Sequence, residues 1–307
     1  MRILRSASEL KPGGRKVCLA IGFFDGVHLG HQQVIRQTIT DARQHQAVAL
    51  VITFDRHPNT VVAPDRVPPL IYTLPQKLRA IGTLGADTLL LLHFDQALSE
   101  KSGESFIRDL IQQLGPLQCV CVGANFVFGH KRGGNVDLLK TLGRELHFSV
   151  HGMSALALDG EPVSSTRIRA AITAGNLDDA SQMLGRAYGL AGDGVHGDGL
   201  GRQLGFPTAN LDVSGLALPP SGVYAVQAHV EQQTFRAVLN IGYRPTLSHA
   251  NPQLRVEAHL LEFDGDLYGQ ELEITFVDKL REEKRFANLE ELRGQITRDI
   301  REAEARF

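Results

Sequence analysis

Of the 307 residues only three are cysteine, Cys18, Cys119 and Cys121. That is too few for a disulfide framework, so a reducing, cytoplasmic setting is expected. Two of them fall in Cys119-Val120-Cys121, an apolar strand whose alternate side chains point to opposite faces, and the pair is expected neither to bridge nor to chelate together. An excess of one charge is also missing: 32 Lys and Arg against 34 Asp and Glu leave a formal net charge of −2. With no basic field to hold a phosphate backbone, a nucleic-acid partner is excluded. Long hydrophobic runs are lacking too. The run before Asp25 is about eight residues, too short for a secretion signal or a bilayer span, and no membrane association is expected. The chain contains no Walker loop, GxxxxGK[ST]. The string Gly192-Asp193-Gly194-Val195-His196-Gly197 matches GxGxxG by letter, but it runs into Gly199, Gly201, Gly205 and Pro207, which are not expected to open a stable helix. A dinucleotide site of the NAD type is therefore excluded.

What is present is the make-up of a soluble globular protein, 43% hydrophobic and 21% charged. The length suits about two domains, expected over 1–185 and 186–307. In the first, apolar runs at Val17–Ile21, Ala47–Phe54, Thr88–Phe94, Gln118–Gly123 and Glu145–Val150 alternate with helical patterns at His31–Gln44, Pro75–Leu84, Gly103–Leu114 and Val136–Leu142. Such alternation predicts an α/β fold, a Rossmann-like parallel sheet with helices on both faces and ligands at the strand C-termini. Helix Leu177–Leu184 and Gly185 close this half. Beyond Tyr188 the period changes to two: Val223–Val230, Phe235–Ile241, Arg255–Phe263 and Glu271–Val277 alternate apolar with polar residues. They predict a small antiparallel β-barrel, with a terminal helix carrying Leu289, Leu292, Ile296 and Ile300.

The densest chemistry lies in Gly22-Phe23-Phe24-Asp25-Gly26-Val27-His28-Leu29-Gly30-His31, where a buried strand turns into a helix. A helix N-terminus offers unpaired N–H groups and partial positive charge, and His28 and His31, three apart, share one face toward an anion there. A plain surface turn and a two-imidazole metal site are the other readings, but no Cys or carboxylate set stands nearby to complete a zinc tetrahedron. The string resembles the HxGH signature of the nucleotidyltransferase superfamily, whose histidines steady ATP phosphates during attack on the α-phosphorus. The polar strings Thr53–Pro58 and Gly123–Arg132 follow later strands, and together with the histidines they outline one pocket at the sheet edge. Val163-Ser164-Ser165-Thr166-Arg167-Ile168-Arg169 reads as hydroxyl residues capping a helix whose first turn carries arginines, a placement that asks for an anion.

In the second half the string Gly199-Leu200-Gly201-Arg202-Gln203-Leu204-Gly205-Phe206-Pro207-Thr208-Ala209-Asn210 combines glycines, which let backbone N–H groups approach a polyphosphate, with Thr208 and Asn210, which can offer neutral oxygens to Mg²⁺ beside ATP. On Leu254–Leu260, alternation sets Arg255, Glu257 and His259 opposite Val256, Ala258 and Leu260, so that Glu257 can take a proton from a substrate alcohol. A lone strand glutamate is ordinarily only solvated.

Over nearly its whole length the chain resembles the prokaryotic bifunctional FAD synthetases, riboflavin kinase joined to FMN adenylyltransferase. The resemblance rests on Phe24–His31, Thr53-Phe54-Asp55, Phe128-Gly129 with Arg132, Ser164-Ser165-Thr166 with Ile168-Arg169, Gly205–Asn210, Gly222-Val223-Tyr224, Asn240-Ile241-Gly242 with Arg244-Pro245-Thr246, Glu257 and Phe263–Gly269. It implies two successive Mg²⁺-dependent transfers: riboflavin and ATP to FMN in the C-terminal barrel, then FMN and a second ATP to FAD and pyrophosphate in the N-terminal domain. Carried over by motif, His28 and His31 are catalytic in the adenylyltransferase, where Gly22, Phe24, Asp25, Asn125, Arg132, Ser164, Thr166 and Arg169 bind ATP or FMN. In the kinase, Glu257 is the general base, Thr208 and Asn210 hold Mg²⁺, and Gly199, Gly205, Pro207, Asn240 and Arg281 line the ATP or flavin site. Small-molecule nucleotides and flavins are the implied partners of a monomer or weak homo-oligomer. Phe23 stands where a small or amide residue is frequent in the family, Arg56 where Pro is, and Asn125 where Asp is also common; none removes a proposed catalytic group. A kinase beside an inert domain and a flavin-binding regulator without turnover are the competing expectations.

Overall fold

Six strands, β1 (Arg2–Leu4), β2 (Val17–Ile21), β3 (Val48–Phe54), β4 (Thr88–Leu92), β5 (Leu117–Gly123) and β6 (Ser149–Met153), form a parallel sheet in the order β1-β4-β3-β2-β5-β6. They belong to a computed structural model that describes residues 1–196, 200–244 and 253–307. All five residues of the central β2 are buried, as a strand covered on both faces requires. Val17, Leu19 and Ile21 join Leu50, Ile52, Val120 and Val122 on one face, under α3 (Gly103–Leu114) and α4 (Val136–Leu146). Cys18 and Ala20 join Val51, Leu89 and Leu91 on the other, under α1 (Leu29–Gln44) and α2 (Leu74–Gly82). Burying each such Leu, Ile or Val is worth about 1.5–3 kcal/mol, which makes this two-sided core the main driving force of the unit.

The same alternation corrects the reading of the cysteine pair. Neighbours i and i+1 diverge across a strand, whereas i and i+2 share a face. Cys119 and Cys121 both point toward α1, and their thiols lie 3.6 and 3.4 Å from Asp41 Oδ2. The strand expected over 145–150 also shifts. α4 runs on through Leu146, and left-handed His147 (φ +61°) ends it with Phe148 N–H donating to Gly143 O, so β6 starts only at Ser149.

The chain divides into two units, one of Met1–Pro68 with Leu74–Ser165 and one of Pro69–Thr73 with Thr166–Phe307. The second begins within α5 (Ser165–Ala174) and continues through α6 (Leu177–Leu184) into a closed antiparallel barrel. Its strands are β7 (Gly189–Val195), β8 (Ala209–Asp212), β9 (Gly222–Val230), β10 (Gln233–Arg244), β11 (Gln253–Leu260) and β12 (Glu271–Arg281), in the order β7-β8-β11-β10-β9-β12. On β11 Val256, Ala258 and Leu260 are buried while Arg255, Glu257 and His259 are not. The terminal helix α8 (Leu289–Glu304), capped by Asn288 Oδ1 accepting from Glu291 N–H, lies against β9, β10 and β12.

The barrel departs from the sequence expectations at several strands: β10 runs over Gln233–Arg244 and β12 through Arg281, both longer than the alternating segments. β7 carries no clear alternation, because glycines at 189, 192 and 194 supply no side chains to alternate, and β8 does alternate, with Ala209 and Leu211 buried, but over only four residues. β11 stops at Leu260, short of Phe263, where Glu262 takes a left-handed φ of +58°. A one-turn helix, α7 (Leu200–Leu204), does form in the glycine-rich string. Gly205, at φ +90°, serves there as its C-terminal residue, with Phe206 N–H donating to Gly201 O at 2.8 Å. Gly199, Pro245 and Thr246 lie outside the described residues.

Candidate active sites

In the N-terminal unit the polar strings after β2, β3 and β5 stand at one edge of the sheet, because parallel strands end together. The turn from β2 into α1 is left-handed at Phe24 (φ +56°), Gly26 (φ +73°) and Val27 (φ +43°). A β-branched residue there is an outlier costing about 1–3 kcal/mol. It persists because Val27 is fully buried, its carbonyl accepts from Gln32 Nε2 at 3.0 Å, and its N–H donates to Phe24 O. His28 then caps α1, its Nδ1 accepting from His31 N–H at 3.4 Å. The two imidazoles stack with centroids 3.6 Å apart, and Phe24 meets His31 edge-on at 5.2 Å. Burial, then the neighbouring His28 and Lys77, hold His31 well below the ordinary histidine range, so the ring is neutral at pH 7. Its Nδ1 is buried without a hydrogen-bond partner among the described residues. Gly22 is sterically required, because a Cβ there would meet the Phe24 ring at 2.7 Å.

Around this turn Thr53 Oγ1 donates to Phe23 O at 2.9 Å, and Ser165 Oγ donates to Asp25 O at 3.1 Å. Lys77, to which the sequence reading gave no role, sits buried on α2 with Nζ donating to Phe54 O at 2.8 Å and Phe23 O at 3.2 Å, 4.2 Å over the Phe23 ring. Burial lowers its pKa to about 8, with Asp25 and Asp55 pulling the other way. The signal was present, since Lys77 falls on the same helical stripe as Leu74, Leu78 and Ile81. Beside it opens a largely apolar cleft of about 730 Å³ lined by Phe23, Phe54, His57, Phe126, Phe128 and Arg132. Of the ATP- or FMN-binding residues carried over by motif only Arg132 lines this cleft, while the strings Thr53–Pro58 and Gly123–Arg132 bring Phe54, His57, Phe126 and Phe128 to it. Gly22, Phe24, Asp25, His28 and His31 form the adjoining turn, and Asn125 is exposed on the turn after β5. Ser164 is half-buried just before α5, while Thr166 and Arg169 belong to the second unit, where Arg169 Nε donates to Pro69 O at 2.6 Å.

In the barrel, strand register builds the site. Asn210 on β8 pairs with Glu257 on β11, Glu257 with Asn240 on β10, Asn240 with Val223 on β9, and Val223 with Arg281 on β12. Register partners point to the same side, and all five line one cleft of about 1010 Å³ together with Thr208, Phe206 and Phe286. Arg255 Nη1 stands 3.9 Å from Glu257 Oε1, and His259 Nδ1 is 2.7 Å from Pro207 O. The sequence alone does not bring Asn240 and Asn210 to either side of Glu257; the register does. Arg281 is held by Asp299 of α8 in a two-point ion pair (Nε–Oδ1 2.8 Å, Nη2–Oδ2 2.7 Å), and Asp299 also accepts from Gln295 Nε2. Gly205 is exposed beside the cleft lining, and Pro207 is exposed as well.

A family model described as FAD synthetase matches residues 11–167, and one described as riboflavin kinase matches residues 184–307. The bifunctional riboflavin kinase/FMN adenylyltransferase of Pseudomonas fluorescens is 38% identical over 306 residues, 99% of this chain and 97% of its own. Its counterpart from Escherichia coli (strain K12) is 36% identical over 301 residues, 97% of this chain and 96% of its own. A crystal structure described as a macrolide-efflux protein from Streptococcus pneumoniae shares the architecture, with a TM-score of 0.82, 26% identity and 98% of each chain covered. Its description applies to that protein; among the described residues here no helix is long and apolar enough to cross a membrane. With both halves matched in order, and relatives alike along their whole length, the chain belongs to the family of bifunctional riboflavin kinases/FMN adenylyltransferases.

Proposed function

We propose that the two transfers of this family are carried by separate sites, riboflavin phosphorylation in a kinase domain over 186–307 and FMN adenylylation in a domain over 1–185. The protein is a transferase that makes FMN from riboflavin and ATP, and FAD from FMN and ATP. The observation that carries the division is the in-register row Asn210, Glu257, Asn240, a carboxylate flanked by two amides inside a cleft.

In the kinase step Glu257 accepts the proton of the riboflavin hydroxyl as its oxygen attacks the γ-phosphorus of ATP; the O–P bond forms as the bond to the β-phosphate oxygen breaks, and ADP leaves. Asn210 and Asn240 orient the carboxylate and the nucleotide. Phe206 and Phe286 supply apolar wall for the flavin ring, and Arg281, neutralised by Asp299, borders that wall. Gly205 and Pro207 shape the loop that leads into Thr208. The hydroxyl of Thr208, the amide oxygen of Asn210 and the nearby carboxylate are hard oxygen donors, a set that fits Mg²⁺. When bound, the ion neutralises charge on the ATP phosphates.

The adenylyl transfer needs no base, because the attacking FMN phosphate is already an anion; positioning and charge stabilisation suffice. His28 and His31, at the N-terminus of α1, receive ATP phosphate oxygens, a role supported by the unpartnered Nδ1 of His31. Gly22, Phe24 and Asp25 shape the turn that aims them. The apolar cleft with Phe23, Phe126, Phe128 and Arg132 suits a flavin ring and its phosphate. For Asn125, Ser164, Thr166 and Arg169 the role in gripping ATP or FMN rests on the motif alone. The setting we assign is the cytoplasm, in accord with three free thiols. The protein works there on small molecules, without nucleic acid or membrane, as a monomer or weak homo-oligomer. Incubation with riboflavin, ATP and Mg²⁺ followed by chromatographic separation of the flavins tests the reading. FMN and then FAD are expected; FMN alone would leave the first domain inert, and neither product would leave a flavin binder.

A further inference from the structure

Away from both clefts, on the α1 side of the parallel sheet, three side chains of different chemistry converge. Asp41 Oδ2 from α1 stands 2.9 Å from His151 Nδ1 on β6 and 3.4 Å from Cys121 Sγ on β5, and Cys121 Sγ stands 3.8 Å from His151 Nδ1. All three ligand atoms lie within 4.8 Å of one another. The circle through three atoms at these separations has a radius of about 2.0 Å, so a point near its centre is within a metal–nitrogen or metal–oxygen bond of each, and a small lift out of the plane reaches the longer metal–sulfur bond of about 2.3 Å. A second thiol, Cys119 Sγ, lies 3.6 Å from the same carboxylate oxygen.

The surroundings favour an ion over a chance contact. Gln37 Nε2 donates to Asp41 Oδ1 at 2.7 Å, which fixes the carboxylate and leaves Oδ2 turned to the thiol and the imidazole, as an outer-shell partner does in metal sites. Asp41 and Cys121 are buried, whereas the His151 side chain on the edge strand is 39% exposed, which gives an ion a route in from solvent. An imidazole, a thiolate and a carboxylate form a borderline-soft set of the kind zinc prefers, and one that magnesium does not use. We propose that Asp41, Cys121 and His151 bind one Zn²⁺-class divalent ion, with solvent in the fourth position. The ion would stitch the C-terminal half of α1 to β5 and the edge strand β6; it is structural and takes no part in either flavin transfer.

Cobalt(II) is the probe, because thiolate ligation gives it an intense charge-transfer band that oxygen ligands in the kinase cleft cannot give. The full-length protein, stripped with chelator, is expected to develop that band to saturation at one equivalent of Co²⁺ and to lose it on adding Zn²⁺. Cys121→Ser should abolish the band. His151→Ala, a change at a partly exposed ring, should leave the far-ultraviolet circular dichroism intact and weaken Co²⁺ binding about tenfold or more. Folded wild-type protein that gives no thiolate band would overturn the proposal and leave a hydrogen-bonded triad. A band that persists unchanged in both variants would overturn it too, by placing the ion elsewhere.

Discussion

The two units place their reactive groups by opposite means. In the barrel the row Asn210, Glu257, Asn240 is set by hydrogen-bonded register, so a slip of one residue on β11 would send Glu257 into the core and bring Val256 to the cleft. In the sheet unit no ladder holds His28 or His31. They depend on a turn that is left-handed at three of four residues and on an imidazole acting as helix cap. The barrel site is therefore as robust as its strands, while the sheet site stores backbone strain and relies on burial of Phe24 and Val27 and on the Lys77 clamp to keep its shape.

That contrast can be broken at four points. Glu257→Ala should lower FMN formation about 10²- to 10⁴-fold, the range for loss of a general base, while FAD formation from supplied FMN stays within about twofold in a coupled flavin assay. Asp299→Ala leaves the Arg281 guanidinium unpaired against α8 and should cost the barrel unit about 3–5 kcal/mol in urea unfolding; a loss below about 1 kcal/mol would show the pair to be incidental. His28→Ala should reduce FAD formation about 10²- to 10³-fold, comparable to removing one donor from a developing anion, with FMN formation preserved.

The smallest effect concerns Lys77. Its folded pKa of about 8 lies below the unfolded value of about 10.4, so the charged form is disfavoured in the folded unit. Between those values the unfolded chain holds more protons, and this contribution to stability rises with pH across the window. Urea midpoints compared at about pH 7.5 and about pH 9.5 should show that rise, and Lys77→Met should flatten it. Equal slopes in both proteins would place the charge in solvent.

Much of this arrangement was legible in the sequence, and the exceptions share a cause. Val17–Ile21, Gly103–Leu114 and Leu177–Leu184 match their strand and helices residue for residue, because apolar period and flanking residues agree there. β7 was hidden because glycine erases the alternation that betrays a strand, and β8 because four residues are too short for its alternation to stand out. α7 was excluded on its glycines, although Gly205 ends that helix and does not break it. Lys77 lies on the apolar stripe of its helix, but a helix lysine reads as solvated until the strand ends that bury it are placed around it. The partner of Arg281 lies 18 residues away on another element, and the neighbours of Glu257 are defined only by register. What stayed hidden was long-range pairing, which local pattern does not encode. The facing direction of Cys119 and Cys121 was different: period two already dictates it, and the expectation erred by applying the neighbour rule to residues two apart.

Independence of the two sites is tested most directly by mixing. Riboflavin, ATP and Mg²⁺ are supplied to Glu257→Ala, to His28→Ala and to an equimolar mixture of the two. FAD should accumulate in the mixture and in neither variant alone, with FMN building up only in His28→Ala. A mixture that makes no FAD, although each variant retains its own half-reaction, would contradict two separately complete sites.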